Sequence, residues 1–200
     1  MKAYHILPDG YEEKFQMNLQ KDKKTALKIN IGAIVLTVLL ILAGNLIMPI
    51  YVFVDADTIL GFCLRIGVLL FAYLAYIVLH ELTHALVMKA VGGSHVRFGF
   101  TGLYAYAGSL EDYFDKSSYR YIALAPLVVW GIIFGVLTAV VPPEWFWTVW
   151  FLQIGNIGGA AGDFYVTARL WKEPESILVR DTGVDMTVFD KSDGSETERD

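Results

Sequence analysis

Ile77-Val78-Leu79-His80-Glu81-Leu82-Thr83-His84-Ala85-Leu86 sets the pattern H-E-x-x-H inside an apolar run long enough to cross a bilayer. On a helix, residues four apart share a face, so His80 and His84 can ligate one metal ion. Glu81 follows His80 and stands beside that ion, where a carboxylate can take a proton from water. Ionisable side chains inside a span are costly, and metal-site spacing explains these three better than packing does. The stretch therefore predicts a Zn2+ site on a membrane helix.

Outward from this stretch the chain divides into apolar runs. The run that carries the motif covers about residues 59–91 and closes at Lys89 and Gly92-Gly93, so both histidines lie in its final third. A first run covers about 29–50, with Lys21, Lys23, Lys24 and Lys28 before or at its start and Pro49 near its end. A third covers about 119–141, with Ala125-Pro126 near its start and Pro142-Pro143 after it. Proline at that start frees a backbone carbonyl, and such breaks usually face protein or a cavity, although a simple kink at the helix start is the commoner explanation. A fourth covers about 145–170, between Trp145, Trp147 and Trp150 on one side and Trp171 with Lys172 on the other. Tryptophan marks the interfaces of a bilayer. Runs of about 20 residues or more suffice to cross one.

Residues 94–118 are too polar to span. His95-Val96-Arg97-Phe98-Gly99-Phe100 alternates, Thr101-Gly102 follows, and Leu103-Tyr104-Ala105-Tyr106-Ala107-Gly108 alternates again, the pattern of a β-hairpin. Such a hairpin is either a connector or an edge strand that pairs with an extended peptide. Glu111, Asp112 and Asp115 read as solvated loop charges. The expected fold is an all-α membrane protein of four transmembrane helices, with a short β-hairpin between helices 2 and 3. Residues 1–26 read as a cytoplasmic N-terminal segment, 27–172 as the four-span domain and 173–200 as an acidic cytoplasmic tail. Residues 177–179 and 184–189 can make short strands or dock on the inner face, and disorder is expected over the last ten or so residues.

Composition agrees with this class. The apolar fraction is 55% and charged residues make up 18%, against about 45–50% and 25% in soluble domains. Mean hydropathy is +0.47. A net charge of −5 gives no support for nucleic-acid binding. Cys63 is the single cysteine, which excludes an intrachain disulfide. The first residues lack the apolar core of a cleavable signal, so the first span is expected to serve as an uncleaved insertion signal. With four spans, Lys21, Lys23, Lys24, Lys28, Lys89, Arg97, Lys116, Arg120, Arg169 and Lys172 all fall on one side. The positive-inside rule then makes both termini cytoplasmic in a multi-pass protein.

A catalytic zinc takes three protein ligands and leaves one position open. A third His six residues after the second is absent, because position 90 is Ala90. Asp163, in the fourth run, is the favoured third ligand. His84 and Asp163 each lie about seven residues from the cytoplasmic end of their runs, hence level at about 10 Å depth. His95 and Glu111 stand as alternatives. Asn156 shares a face with Asp163, seven residues away, and can meet a substrate backbone or a developing oxyanion. It can equally bridge two helices through its amide. Gly155, Gly159 and Gly162 form a small-residue face for close helix approach.

His80-Glu81-x-x-His84 on one span, with Asn156, Gly159, Gly162 and Asp163 on a later one, resembles the site-two protease type of intramembrane metalloprotease. More closely, residues 25–172 resemble the bacterial and archaeal membrane family known as Putative zincin peptidases. That family has four spans, H-E-x-x-H in the second, an Ala-Pro segment in the third and an Asn…Gly-Asp segment in the fourth. In site-two proteases the Asp sits in Leu-Asp-Gly after an Asn-x-x-Pro element; here its neighbours are Gly162 and Phe164, and no such proline follows Asn156. The resemblance implies a prokaryotic cytoplasmic membrane.

The expected function is a zinc-dependent intramembrane peptidase. Zn2+ sits on His80, His84 and Asp163, Glu81 is general base and acid, and the partners are the lipid bilayer and a membrane-embedded or membrane-proximal protein or peptide substrate. The alternative is a non-catalytic membrane zinc-binding scaffold or adaptor, for which a fourth protein ligand would be expected.

Overall fold

The computed structural model describes residues 2–55, 58–100, 102 and 105–192. Disorder over the last ten or so residues concerns a stretch that lies largely outside these. Three helices are long and apolar enough to cross a membrane: α1 (Lys23–Ile47), α3 (Ile59–Ala90) and α4 (Lys116–Val140), each with a mean hydropathy of 2.3. A four-residue helix, α2 (Tyr51–Val54), separates the first two. Each long helix opens on a side-chain cap. Asp22 Oδ1, Thr58 Oγ1 and Asp115 Oδ1 accept the N–H of Thr25, Gly61 and Ser118 at 3.1, 3.0 and 2.6 Å. A capping oxygen satisfies one of the N–H groups that a helix start leaves without a partner.

The end of α3 is equally well defined. Gly92 takes φ +102°, a backbone region that side chains disfavour. Its N–H donates to Lys89 O at 3.0 Å, and Gly93 N–H donates to Met88 O at 2.8 Å. This is a Schellman closure, and it fixes where the chain leaves the helix that bears the H-E-x-x-H pattern.

The fourth apolar run does not form one helix. It is broken into α5 (Phe146–Gly159) and α6 (Ala161–Trp171), after a short 3-10 turn at Pro143–Trp145. The break falls at Ala160, directly after Gly158 and Gly159. Glycine weakens a helix interior by about 1 kcal/mol relative to alanine, and here two adjoin the break. Of the four transmembrane helices expected, three are single helices long and apolar enough to cross, and the fourth run is a discontinuous pair.

The all-α expectation is corrected. Strands β1 (Ala3–Tyr4), β2 (Tyr11–Met17), β5 (Tyr113–Asp115), β6 (Leu178–Asp181) and β7 (Met186–Lys191) form an antiparallel sheet in the order β1-β5-β6-β7-β2. The N-terminal segment and the acidic tail supply four of its five strands, and β5 comes from the stretch just before α4. β2 pairs with β7 from Tyr11↔Lys191 to Met17↔Met186, with a bulge between Glu13 and Phe15. Gly183, at φ +82°, makes the turn between β6 and β7. A separate pair, β3 (Val96–Phe100) and β4 (Ala105–Ser109), runs antiparallel from Val96↔Ser109 to Phe100↔Ala105. Of the turn read from the sequence, residues 101, 103 and 104 lie outside the described ones.

The chain forms two units: Met1–Ala26, Glu81–Ala123 and Val166–Asp200 in one, Leu27–His80 and Leu124–Tyr165 in the other. The divisions fall inside α1, α3, α4 and α6. The first unit is cored by Met88, Phe114, Ile122, Leu170, Ile177, Val179 and Val188, each 2% exposed or less, so sheet and helix ends share one apolar centre. In the second, Trp147 is fully buried and its Nε1 donates to Met48 O at 2.9 Å, while Trp150 Nε1 donates to Leu40 O at 3.0 Å. Arg65 donates from Nη1 to Val52 O and Phe53 O at 2.8 and 2.9 Å, closing the end of α2. Leu39, Leu42, Leu46, Leu64, Phe71, Leu74, Val78 and Ile132 are exposed. A surface so apolar suits lipid rather than water.

Candidate metal centre

His80 and His84 occupy one unbroken helix, α3, four residues apart and on one face. They are 9% and 8% exposed. His80 Nε2 lies 3.5 Å from Asp163 Oδ2, and Asp163 is in the first turn of α6, just past the break at Ala160. His80 and Asp163 each offer a ligand atom, and His84 offers a third from the next turn of the same helix. Around a tetrahedral zinc with bonds of about 2.0–2.1 Å, ligand atoms are about 3.4 Å apart. The His80–Asp163 separation fits that edge, and the donor set of two imidazoles and a carboxylate suits zinc.

The outer nitrogens of both imidazoles are engaged. His84 Nδ1 lies 2.8 Å from the carbonyl oxygen of Ile122, to which it can only donate. That carbonyl is available because Pro126, four residues on within α4, has no N–H to offer it. His80 Nδ1 lies 2.9 Å from Tyr76 Oη, and Tyr76 O–H donates to Asn156 Oδ1 at 2.9 Å. With the phenol proton committed to Asn156, His80 Nδ1 must be the donor to Tyr76. Both rings then carry their proton on Nδ1 and keep the lone pair of Nε2, which is how a metal-binding histidine is oriented by its outer partners.

Asn156 is fully buried, and its Nδ2 donates to Leu127 O at 3.1 Å. Its amide thus joins α5 to α3 through Tyr76 and to α4 through Leu127, the bridging option of the two read from the sequence. Tyr76 was not singled out in the sequence. Its signal is its position one turn before His80, on the same face.

Glu81 is half-buried on α3. His95 and Glu111, the alternative ligands, pair with each other instead: His95 Nε2 is 3.3 Å from Glu111 Oε2. Asp112, expected as a solvated charge, is fully buried. Burial alone would raise its carboxyl, but hydrogen bonds from His95 N–H, His5, Ser109 and Ser94 N–H outweigh this and hold it down to about 2. Among the described residues, His5, His95 and Asp112 form a second group of ligand atoms within 4.8 Å.

Helices that suit a bilayer, bearing two histidines one turn apart and an aspartate at the start of a broken helix, define a membrane protein with a zincin-like donor set. The model of the family described as Putative zincin peptidase matches residues 73–178, and the chain belongs to that family. No curated protein and no solved structure matches the chain. The family name carries zinc metallopeptidase chemistry as its class.

Proposed function

We propose that this protein is a zinc-dependent intramembrane peptidase that hydrolyses peptide bonds in or near the membrane. The observation that carries the reading is the pair of Nδ1 contacts, His84 to Ile122 O and His80 to Tyr76, which orient both imidazoles so that Nε2 is the ligand atom each would offer. His80, His84 and Asp163 would hold the zinc, which when bound activates water and polarises a carbonyl. Glu81 accepts a proton from the attacking water as the new C–O bond forms. It then delivers that proton to the leaving nitrogen as the C–N bond breaks. Tyr76 and Asn156 act as positioning residues for His80. The three-ligand set and the adjacent Glu81 favour this reading over a closed, non-catalytic zinc scaffold, which usually has four protein ligands.

The discontinuity at Ala160 supports a site at membrane depth, because helix breaks are tolerated there only against protein or a cavity. β3 is paired with β4 alone among the described residues, so its other edge suits an extended substrate strand. The segments 1–26 and 166–200 belong to one unit and share one sheet, which supports a common side of the membrane for both. An even number of crossings then requires α5 and α6 to serve together as the fourth, with the Lys- and Arg-rich side cytoplasmic.

The test uses membranes carrying the wild-type chain or Glu81→Gln. Zinc is removed with a chelator and then returned. Substrate fragments are expected only with wild type and only after zinc is restored. Equal fragments from both chains would contradict the reading.

A further inference from the structure

The chain holds four histidines. Two lie at the site above. The other two, His5 and His95, meet a single aspartate, Asp112, in the unit that contains the sheet. His5 directly follows β1. His95 follows the Schellman closure of α3, and Asp112 lies between β4 and β5. Residues distant in sequence are thus brought to one point at the surface. His5 and His95 side chains are 53% and 45% exposed, while that of Asp112 is fully buried.

The arrangement resolves into ligand atoms and their supports. Asp112 Oδ2 accepts from Ser94 N–H and His95 N–H, both at 2.9 Å, and from Ser109 Oγ at 2.7 Å. Those donors fix the carboxylate and leave Oδ1 facing the imidazoles. His5 Nδ1 is 2.7 Å from Oδ1, and His95 Nδ1 is 3.6 Å from it. Ser94 Oγ stands between the rings, 3.1 Å from His5 Nδ1, 2.8 Å from His95 Nδ1 and 3.3 Å from Oδ1. On its far side His95 presents Nε2 to Glu111. A carboxylate that accepts Nε2–H holds the imidazole in the tautomer whose Nδ1 lone pair is free for a metal.

We propose that His5, His95 and Asp112 form a second, water-exposed site for a divalent transition-metal ion. Two imidazoles with a carboxylate suit zinc and its first-row neighbours and do not suit magnesium or calcium, which prefer all-oxygen sets. A tetrahedral ion separates its ligand atoms by about 3.4 Å. Binding therefore opens the His5–Asp112 pair slightly, which the exposed His5 ring can follow, and the proton that His5 Nδ1 gives to that pair passes to solvent or to Nε2 as Nδ1 turns its lone pair to the ion. The ion would tie the residue after β1 to the turn that leaves the H-E-x-x-H helix. This proposal does not depend on the peptidase reading.

The test is metal content of purified, chelator-stripped full-length chain after equilibration with Zn2+ and removal of free ion. Wild type is expected to retain two equivalents, and His5→Asn with His95→Asn one. His80→Asn with His84→Asn also retains one, and there Co2+ replaces Zn2+ to give visible d–d bands. Adding His5→Asn to that chain abolishes the bands. Zinc content equal to wild type in the His5/His95 variant, or no metal at all in the His80/His84 variant, overturns the proposal. A failed first site gives a different pattern: full content in the His80/His84 variant and a loss only in the His5/His95 one. His5 and His95 are half-exposed, so both changes are compatible with folding, and the Co2+ bands report on the site while its own ligands are intact.

Discussion

His84 Nδ1 donates to the carbonyl of Ile122 at 2.8 Å, the same carbonyl that Pro126 leaves without its helical donor. A proline inside one membrane helix thereby sets the tautomer of a histidine on another. Pro126→Ala supplies a backbone N–H that competes for Ile122 O. The helix gains, since an interior proline costs about 3 kcal/mol. The metal site loses, because removing the outer partner of a ligand typically lowers metal affinity by about 10- to 100-fold. Chelator competition with the purified chain is expected to show weaker zinc retention together with a higher melting temperature. Unchanged affinity would mean that the proline has no part in the site.

Tyr76→Phe removes the hydroxyl between His80 Nδ1 and Asn156 Oδ1. Each of those groups keeps its burial and loses that partner, at a cost of about 1–3 kcal/mol in stability. Zinc affinity is expected to fall by about 10- to 100-fold. Asn156→Leu should do the same to a smaller degree, since it acts on His80 only through Tyr76. Equal zinc affinity in Tyr76→Phe and wild type would show that His80 is oriented by something else.

Asp163→Ala removes the carboxylate that lies 3.5 Å from His80 Nε2. Zinc per chain should fall, and the remaining ion should exchange faster. Asp163→Asn is expected to be nearly as damaging, because an amide oxygen brings no charge to the metal. Zinc content held at the wild-type level in Asp163→Ala, measured in the His5→Asn/His95→Asn background, would remove Asp163 from the ligand set.

Gly44→Ala tests the packing of α1 independently of the metal. Gly44 is buried, and a Cβ built there falls inside the Trp150 indole, whose Nε1 donates to Leu40 O. Overpacking of this kind costs about 1–3 kcal/mol. The melting temperature should drop while zinc affinity stays near the wild-type value. A fall in zinc affinity as large as in Tyr76→Phe would show that α1 is coupled to the site.

Lys14 makes one of the acid-sensitive contacts of the sheet. Its Nζ lies 2.8 Å from Asp190 Oδ2 and 3.0 Å from Glu173 Oε2. The Lys14 hydrogen bond is the main cause that lowers Asp190; burial raises Glu173, and Lys14 and Arg169 together more than reverse it. A carboxylate lowered by folding stabilises the fold above its unfolded value of about 4 and gives that up as pH falls. Wild-type melting temperature should therefore decline as the pH is taken from about 5 toward 3. In Lys14→Met the decline should be shallower and should start from a lower value at pH 7. Parallel profiles would assign the acid sensitivity to other carboxylates.

The candidate ligands His80, His84 and Asp163 could be picked out in the sequence because each signal is local: one helical turn for the two histidines, and a charge in an apolar run for the aspartate. The glycines after Ala90 were legible as the end of a span, whereas Asp115 was read as a solvated loop charge and instead caps α4 through the N–H of Ser118. Of the sheet, only the tail strands were legible, read at 177–179 and 184–189 and found at Leu178–Asp181 and Met186–Lys191; the strands they pair with were not. β2 pairs with β7 across almost the whole chain, and Tyr11-Glu12-Glu13-Lys14-Phe15-Gln16-Met17 shows no apolar face strong enough to announce a partner so remote. The break at Ala160 was masked because small apolar residues keep hydropathy high while weakening the helix. Asp112 misled for another reason. A charge in a loop looks solvated, and the donors that bury it come from Ser94, His95 and Ser109. Tyr76 was missed because an aromatic in a span is ordinarily packing, and only the geometry gives its hydroxyl a task.

The most direct measurement compares the new N-termini of membrane proteins in cells that carry wild type with those in cells that carry only Glu81→Gln, at equal expression and equal zinc loading. Fragments that appear only with wild type, and intact precursors that accumulate with Glu81→Gln, are the predicted result. Identical sets of termini in the two cell populations, with both chains zinc-loaded, would contradict the peptidase and leave a non-catalytic membrane zinc protein.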